Sequence, residues 1–489
     1  MSTKLFLSKK NYLINVQSIL FILLPLLLIT GPFFSDLAVS LIAIIFFILL
    51  IKKKKLNFLN NNLFKIFVIF WIYLILNSLF QNQNLDSLRI SFFHIRFGLF
   101  VFAIIYLLEH NIKILSYFFF SLLICMSILL VDGFIQFIFQ KNLLGFELAD
   151  GPRVSSFFGD ELILGSYVSR LLPILTGIFI LIYMQPIKKN LFIYFFIFYL
   201  LLESLIFISG ERTAFFYFVL SSGFIFFLVT ILKKIRILIL ISSVFFLVLI
   251  LSISPTLKHR MLELTMSELG ISSPQKLEGV SKIDDNVDVN DLSLSFEDLN
   301  ISLKIKKDLT FERIEQSYNL GLITEGQKEG LILDLTAQQS IIIFSSHHTE
   351  HYITALRMFK DNIFFGVGVK NFRTKCKDSK YRYTESSCST HPHNSYVQLL
   401  SETGIFGFMY FLSFFCIFLF YISKHIRLGF QKKTLFSDFE ICMLAAILIT
   451  LWPLAPSGNI FNNWLNIIFH IPAGLFLWSR KNSIKKINL

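Results

Sequence analysis

Charged residues are scarce in this chain. They make up 16% of its 489 residues, against 55% hydrophobic, and that balance excludes a soluble globular protein. Alternating apolar and polar segments of about 10 residues are missing too, which excludes a β-barrel. Neither Cys-x-x-Cys nor His-Glu-x-x-His occurs, so the common zinc spacings are absent. No stretch interleaves basic and aromatic residues as a nucleic-acid platform would. The first apolar run, preceded by Lys4, Lys9 and Lys10, lacks a small-residue cleavage site and reads as a first anchor.

What is present is a series of apolar runs, each long enough as helix to cross about 30 Å of hydrocarbon. The expected fold is an all-α polytopic membrane protein of twelve spans, at 13–30, 33–51, 63–80, 91–108, 115–138, 161–184, 191–209, 213–232, 237–254, 403–422, 438–455 and 463–479. His94 and Arg96 lie inside the start of the fourth. With twelve spans, the basic clusters fall on one side, from Lys9/Lys10 and Lys52–Lys55 to Lys424–Lys433 and Arg480–Lys486. The positive-inside rule makes that side, with both termini, cytoplasmic. The net charge of +13 therefore reports orientation rather than a nucleic-acid partner.

Five regions follow: N-terminal helices (1–150), helices with outward arginine motifs (151–254), an acidic insert (255–345), a periplasmic loop (346–402) and C-terminal helices (403–489). The insert holds nearly half of the chain's 32 acidic residues and carries helical apolar spacing over 309–340. In the loop, Tyr352, Ala355, Met358 and Phe359 are spaced as a helix, and Asn362–Phe372 is a Gly-bearing turn.

The most informative stretch is His391–Gly407, where a polar loop runs into an apolar span. His393 stands at the water–membrane boundary, either as a hydrogen-bonded structural histidine or as an acid–base group for a lipid-borne hydroxyl. Asn394 and Ser395 either cap the coming helix or orient the imidazole. His391 and His393 form His-x-His, with His347, His348 and His351 in the same loop, but no second metal-ligand spacing accompanies them; no metal or cofactor is assigned. Arg212, between spans seven and eight, is an anion clamp, a snorkelling arginine or a partner of Glu211 or Glu203. Arg153, on another outward loop, suits a diphosphate. Glu402 is a second acid–base group or a helix-start carboxylate. Cys376 and Cys388 are a disulfide bracing the approach to His393 or two free thiols. Asp132 and Glu203 are the main charges inside spans.

These residues resemble the O-antigen ligase and O-antigen polymerase superfamily. His393-Asn394, followed by Gly404 and Gly407 with Glu402-Thr-Gly-Ile-Phe-Gly between, is similar to its loop-to-helix motif. Asn362–Phe372 is similar to its Gly-x-Gly turn. Ser209-Gly-Glu-Arg-Thr and Pro152-Arg-Val-Ser-Ser-Phe-Phe-Gly resemble its arginine motifs. Phe216 replaces a frequent leucine, Asp160-Glu161 replaces Pro-Asn, and the 255–345 insert has no counterpart.

The resemblance implies inverting, metal-independent glycan transfer on the periplasmic face. The donor is a polyprenyl-diphosphate-linked glycan whose diphosphate meets Arg153 and Arg212. His393 is the general base on the acceptor, and Asn394, Glu402, Gly404 and Gly407 support it. The acceptor is lipid A–core for a ligase, or a second lipid-linked glycan for a polymerase. A transporter of lipid-linked sugar is the competing class, and it calls for mid-span charges and broken helix pairs.

Overall fold

Apolar runs, with no sheet to pair into, satisfy their backbone groups within helices. The computed structural model describes residues 12–81, 85–149, 152–184, 189–231, 236–268 and 346–487, and among these it is all-helical, with no strand beyond isolated bridges. It divides into two compact units, Met1–Met261 with His347–Leu489, and Leu262–Ser346. The helical spacing expected over 309–340, and nearly all of the acidic insert, lie outside the described residues.

The helices are α1 (Tyr12–Ile29), α2 (Pro32–Lys52), α3 (Asn62–Gln81), α4 (Leu85–Phe93), α5 (Ile95–His110), α6 (Lys113–Phe139), α7 (Leu164–Tyr183), α8 (Lys189–Ile208), α9 (Arg212–Leu228) and α10 (Arg236–Ile253). Short turns follow: α11 (Pro255–Lys258), a π-turn (His259–Glu263) and α12 (Leu264–Glu268). After the undescribed insert come α13 (Ser346–Asp361), α14 (Phe372–Lys375), α15 (Ser395–Phe430), α16 (Asp438–Leu451) and α17 (Asn463–Ile487). Of the second unit, only 262–268 and 346 are described.

Eight helices are long and apolar enough to cross a membrane, or nine if the bent pair Ile237–Ile253 and Pro255–Met266 is one span. Three of the twelve expected spans, α9, α16 and α17, fall outside that set. A helix stands at each of the twelve apolar runs, but α9 is a shorter apolar helix, and α16 has 14 residues. At 1.5 Å per residue α16 reaches only about 21 Å, short of a hydrocarbon core of about 30 Å. The fourth run is two helices, α4 and α5, which meet at His94 and count together as one span. Rows of exposed apolar side chains, such as Ile237, Leu240 and Val244 on α10, belong against lipid. The chain is a multi-pass membrane protein.

Inside the first unit, α16 packs against α7, α9 and α17, and α17 packs against α5. α16 therefore divides an α7–α9 side from an α5–α17 side. The functional groups gather around its C-terminal end.

Candidate active site at the C-terminal end of α16

Asn394 is the N-cap of α15. Its Oδ1 accepts from the Tyr396 and Val397 amides at 2.9 and 3.1 Å, satisfying donors that a helix start leaves open. Its amide group donates to the Pro453 carbonyl at 2.9 Å, tying the cap to the segment after α16. The capping alternative is thus the one observed. His393, just before the cap, has φ +56°. The Ser457 amide donates to its carbonyl at 2.8 Å.

Three further imidazoles surround His393. Ring centres lie at 4.2 Å (His391), 5.3 Å (His351) and 5.4 Å (His348). His393 Nε2 is 3.1 Å from Ser389 Oγ. His391 Nε2 donates to the Ser457 carbonyl at 3.3 Å, so its Nδ1 accepts from Thr390 at 2.9 Å. Burial pushes His391 down to about 4, so it is neutral at pH 7. Among the described residues, no group of three His, Cys, Asp or Glu is arranged to hold a metal ion.

Cys376 and Cys388 are joined, with Cα atoms 5.1 Å apart. Together with Ala355, Met358 and Phe372, Cys376 forms a small apolar core beneath the loop. His351 on α13 hydrogen-bonds the Ser387 carbonyl at 2.8 Å, fixing the disulfide arm against that helix.

The Gly-bearing turn docks on α15. The Val367 and Gly368 amides donate to the Ser401 and Glu402 carbonyls at 2.8 and 2.9 Å, and the Ile405 amide to Ile363 at 2.8 Å. Gly404 has φ +62° and ψ −163°, a break inside α15. A Cβ there would run into the Phe364 carbonyl, and one on Gly366 would lie 2.5 Å from the Glu402 carbonyl carbon. Both positions therefore require glycine. Gly407 packs under Thr403 in the next turn.

Glu402 differs from the helix-start reading of it. It lies two turns into α15, not at the start, and is fully buried. Its carboxylate accepts from the Phe372 amide at 3.0 Å and from Gln398 Nε2 at 2.9 Å. It holds the turn to the helix and is enclosed by its own partners.

On the α7–α9 side, two buried polar residues near the end of α6 fold the loop that carries Arg153. Asp132 accepts from the Leu143 amide at 2.9 Å and from Ser156 Oγ at 2.5 Å. Gln136 Oε1 accepts from the Ser155 and Ser156 amides at 3.0 and 2.6 Å. Arg153 Cγ and Arg260 Nε then lie 3.1 and 3.2 Å from where a Cβ on Gly210 would stand, and Arg260 Nε donates to the Gly210 carbonyl at 3.0 Å. Arg212 is the half-buried first residue of α9.

Glu211 is the buried N-cap residue of α9, just before Arg212. It accepts from the Gly165 amide at 2.6 Å and from Ser166 Oγ at 2.8 Å, closing the N-terminus of α7. Burial raises it to about 7, opposed by these bonds and by Arg153.

The two sides meet through Tyr217. Its hydroxyl donates to the Pro456 carbonyl at 2.8 Å. Buried Arg170 lies 4.7 Å from its ring centre and donates to Thr450 Oγ1 at 3.1 Å. Burial and then Tyr217 raise the Tyr352 phenol well above its ordinary range, and the Tyr352 ring stacks on His348 at 6.4 Å.

Residues 195–412 match the family model described as O-Antigen ligase. That stretch, less than half of the chain, is similar to O-antigen ligases. Comparison with curated proteins finds no match. Within the O-antigen ligase match lie Arg212, Cys376, Cys388, His393, Asn394, Glu402, Gly404 and Gly407. Arg153 and the segment after α16 lie outside it.

Sequence reading missed three parts of this ligase-like site. Trp452–Phe461, the segment after α16, receives bonds from Asn394, Tyr217 and Gln398. Its Pro453, Pro456, Gly458 and Asn459 between apolar runs were the available signal. Arg260 comes from a short turn at the edge of the insert. Arg170 corrects the account of in-span charges, since it is a buried cation inside α7.

Proposed function

We propose that this O-antigen ligase-like chain is a glycosyltransferase that moves a glycan from a polyprenyl-diphosphate donor to a lipid A–core hydroxyl on the periplasmic face of the bacterial inner membrane. What supports the reading is the clustering of His348, His351 and His391 around His393, just ahead of the α15 cap and inside the O-antigen ligase match. In this reading all twelve apolar helices are membrane-embedded, both termini are cytoplasmic, and the disulfide loop faces the oxidising compartment.

His393 takes the proton from the acceptor hydroxyl. The oxygen attacks the anomeric carbon from the face opposite the diphosphate. The new carbon–oxygen bond forms as the anomeric carbon–diphosphate bond breaks, and polyprenyl diphosphate leaves with the electron pair. A single displacement inverts the anomeric centre. Arg153 and Arg212, both fixed cations, meet the charge that grows on the leaving group.

The test uses purified chain in liposomes with labelled polyprenyl-diphosphate glycan and chelator, with and without lipid A–core. Label moving only to lipid A–core supports the ligase. Longer lipid-linked chains without that acceptor make it a polymerase. If folded protein catalyses neither, transport of lipid-linked sugar takes the place of this reading.

A further inference from the structure

A cavity of about 620 Å³ lies between α3, α5, α15, α16 and α17, in the size range of small-ligand sites. Its walls are apolar and aromatic, with Phe67, Phe70, Tyr410 and Phe469 among them. Along α17 it runs from Leu465 to Arg480, about 22 Å at 1.5 Å per residue. That is the shape of a hydrocarbon chain, not of a sugar.

The cavity is separate from the arginine turn. Leu444, Ile447 and Leu451 of α16 line it, whereas Cys442 and Met443 of the same helix press on Gly177 of α7. The helix that walls the cavity thus turns its other face to the α7–α9 side.

Cations gather at the His94 end. Arg96 follows His94, which lines the cavity, and donates to Asn463 at the start of α17 at 2.9 Å. Asp36 pairs with Arg96 at 2.6 Å. Asn77 and Ser87 hold the Gly-bearing turn onto α3 and α4 through the Phe365 and Val369 carbonyls, which brings Lys370 and Arg373 to the same end. Burial, then Arg373, with Arg96 also contributing, depresses the Lys370 ammonium, while Glu402 and Asp36 oppose this. Neither Lys370 nor Arg373 is in an ion pair among the described residues. Arg373 also acts on His391, beside the proposed base.

We infer that this cavity holds one hydrocarbon chain of the acceptor, a phosphorylated lipid whose anionic head group rests on Lys370 and Arg373. The inference rests on the transferase reading for the word acceptor, but the site stands on its own geometry. It puts the two lipids on opposite sides of α16, with His393 above the helix end between them.

The test reads binding rather than turnover. Full-length protein in phosphatidylcholine liposomes is photolabelled with phosphatidic acid bearing a diazirine in its acyl chain, with a diazirine phosphatidylcholine in parallel. Labelled α15 and α17 peptides from the cavity wall are quantified by mass spectrometry. The phosphatidic acid should label them about ten-fold more than the zwitterionic probe, a difference of about 1.4 kcal/mol. Lys370→Gln with Arg373→Gln should bring the two probes level. Ala473→Trp should remove labelling by filling the cavity, and Ala473→Leu, the milder change, should reduce it.

Equal labelling by the two probes would overturn the proposal. So would labelling indifferent to the Ala473 variants, or loss of labelling on adding polyprenyl diphosphate, which would give the cavity to the donor. Charge-selective labelling without any glycan transfer sinks the transferase reading and leaves the lipid site standing.

Discussion

The Ser457 amide donates to the His393 carbonyl at 2.8 Å, and the residue so held has φ +56°. A non-glycine residue in that region costs of order 1–3 kcal/mol, and the cost is met by surrounding structure. The segment after α16 therefore sets where the His393 imidazole points.

His393→Ala should lower glycan transfer by about 10²–10⁴-fold, the range for loss of a general base. Binding of labelled donor should persist, because the arginine turn is built from other segments. The check is transfer and donor retention measured on the same liposomes at matched protein amounts. Undiminished transfer would remove the base assignment.

Arg260→Ala should raise the donor KM about ten-fold and leave the acceptor KM unchanged, since Arg260 sits with Arg153 over Gly210. Steady-state kinetics with each substrate varied in turn decides it. A change confined to the acceptor would detach Arg260 from the diphosphate.

Gly404→Ala should cost at least about 1–3 kcal/mol from backbone strain alone, and more from the collision with Phe364. The expected result is a lower unfolding midpoint in detergent and loss of transfer. Gly429→Ala, where nothing crowds the added Cβ, is the control expected to behave as wild type.

Glu211 and His391 give opposite pH dependences. The folded Glu211 carboxyl titrates near 7 instead of 4.5, so its contribution is full below 4.5 and is lost as pH rises to about 7. Folded His391 titrates near 4 instead of 6.5, so its contribution is full above 6.5 and is lost as pH falls to about 4. The two largely offset each other between 4.5 and 6.5. Relative to wild type, Glu211→Gln should make stability rise with pH across that window, by up to about 1.4 kcal/mol per pH unit. His391→Gln should make it fall. Chemical denaturation at both ends of the window reads the slopes, and parallel curves for all three proteins would refute the account.

Replacing Cys376 and Cys388 with serine should destabilise the loop by about 3 kcal/mol on the chain-entropy view. His393 should lose activity with it, because the disulfide arm carries Ser389. Alkylation with and without reductant, read as a mass shift, checks that the pair is oxidised in the native protein.

Much of this site was legible because its signals are local. An asparagine before an apolar helix announces a cap, and Asn394 is one. A glycine pair after it announces a break, and Gly404 provides it. The spacing of Tyr352, Ala355 and Met358 marks a helix, and α13 runs through all three. Other features depend on tertiary contacts. Nothing near Arg170 in the sequence indicates that its cation will meet the Tyr217 ring, 47 residues later. Glu402 reads as a helix-start carboxylate because the apolar run begins at 403, whereas the helix itself starts two turns earlier at the Asn394 cap. Helix length also escaped hydropathy, since α16 stops at Leu451 where the extended backbone of Trp452 and then Pro453 end it.

α15 has 36 residues, about 54 Å of helix against a hydrocarbon thickness of about 30 Å. Gly404 interrupts it after its first two and a half turns, and the Ile363–Ile405 bond pins the interruption in place. The short first piece starts at the Asn394 cap, with His393 just ahead of it, while the long second piece answers to the bilayer by tilting. The glycine is thus a mechanical joint. Membranes of different thickness can change the lean of the second piece while the imidazole keeps its aim.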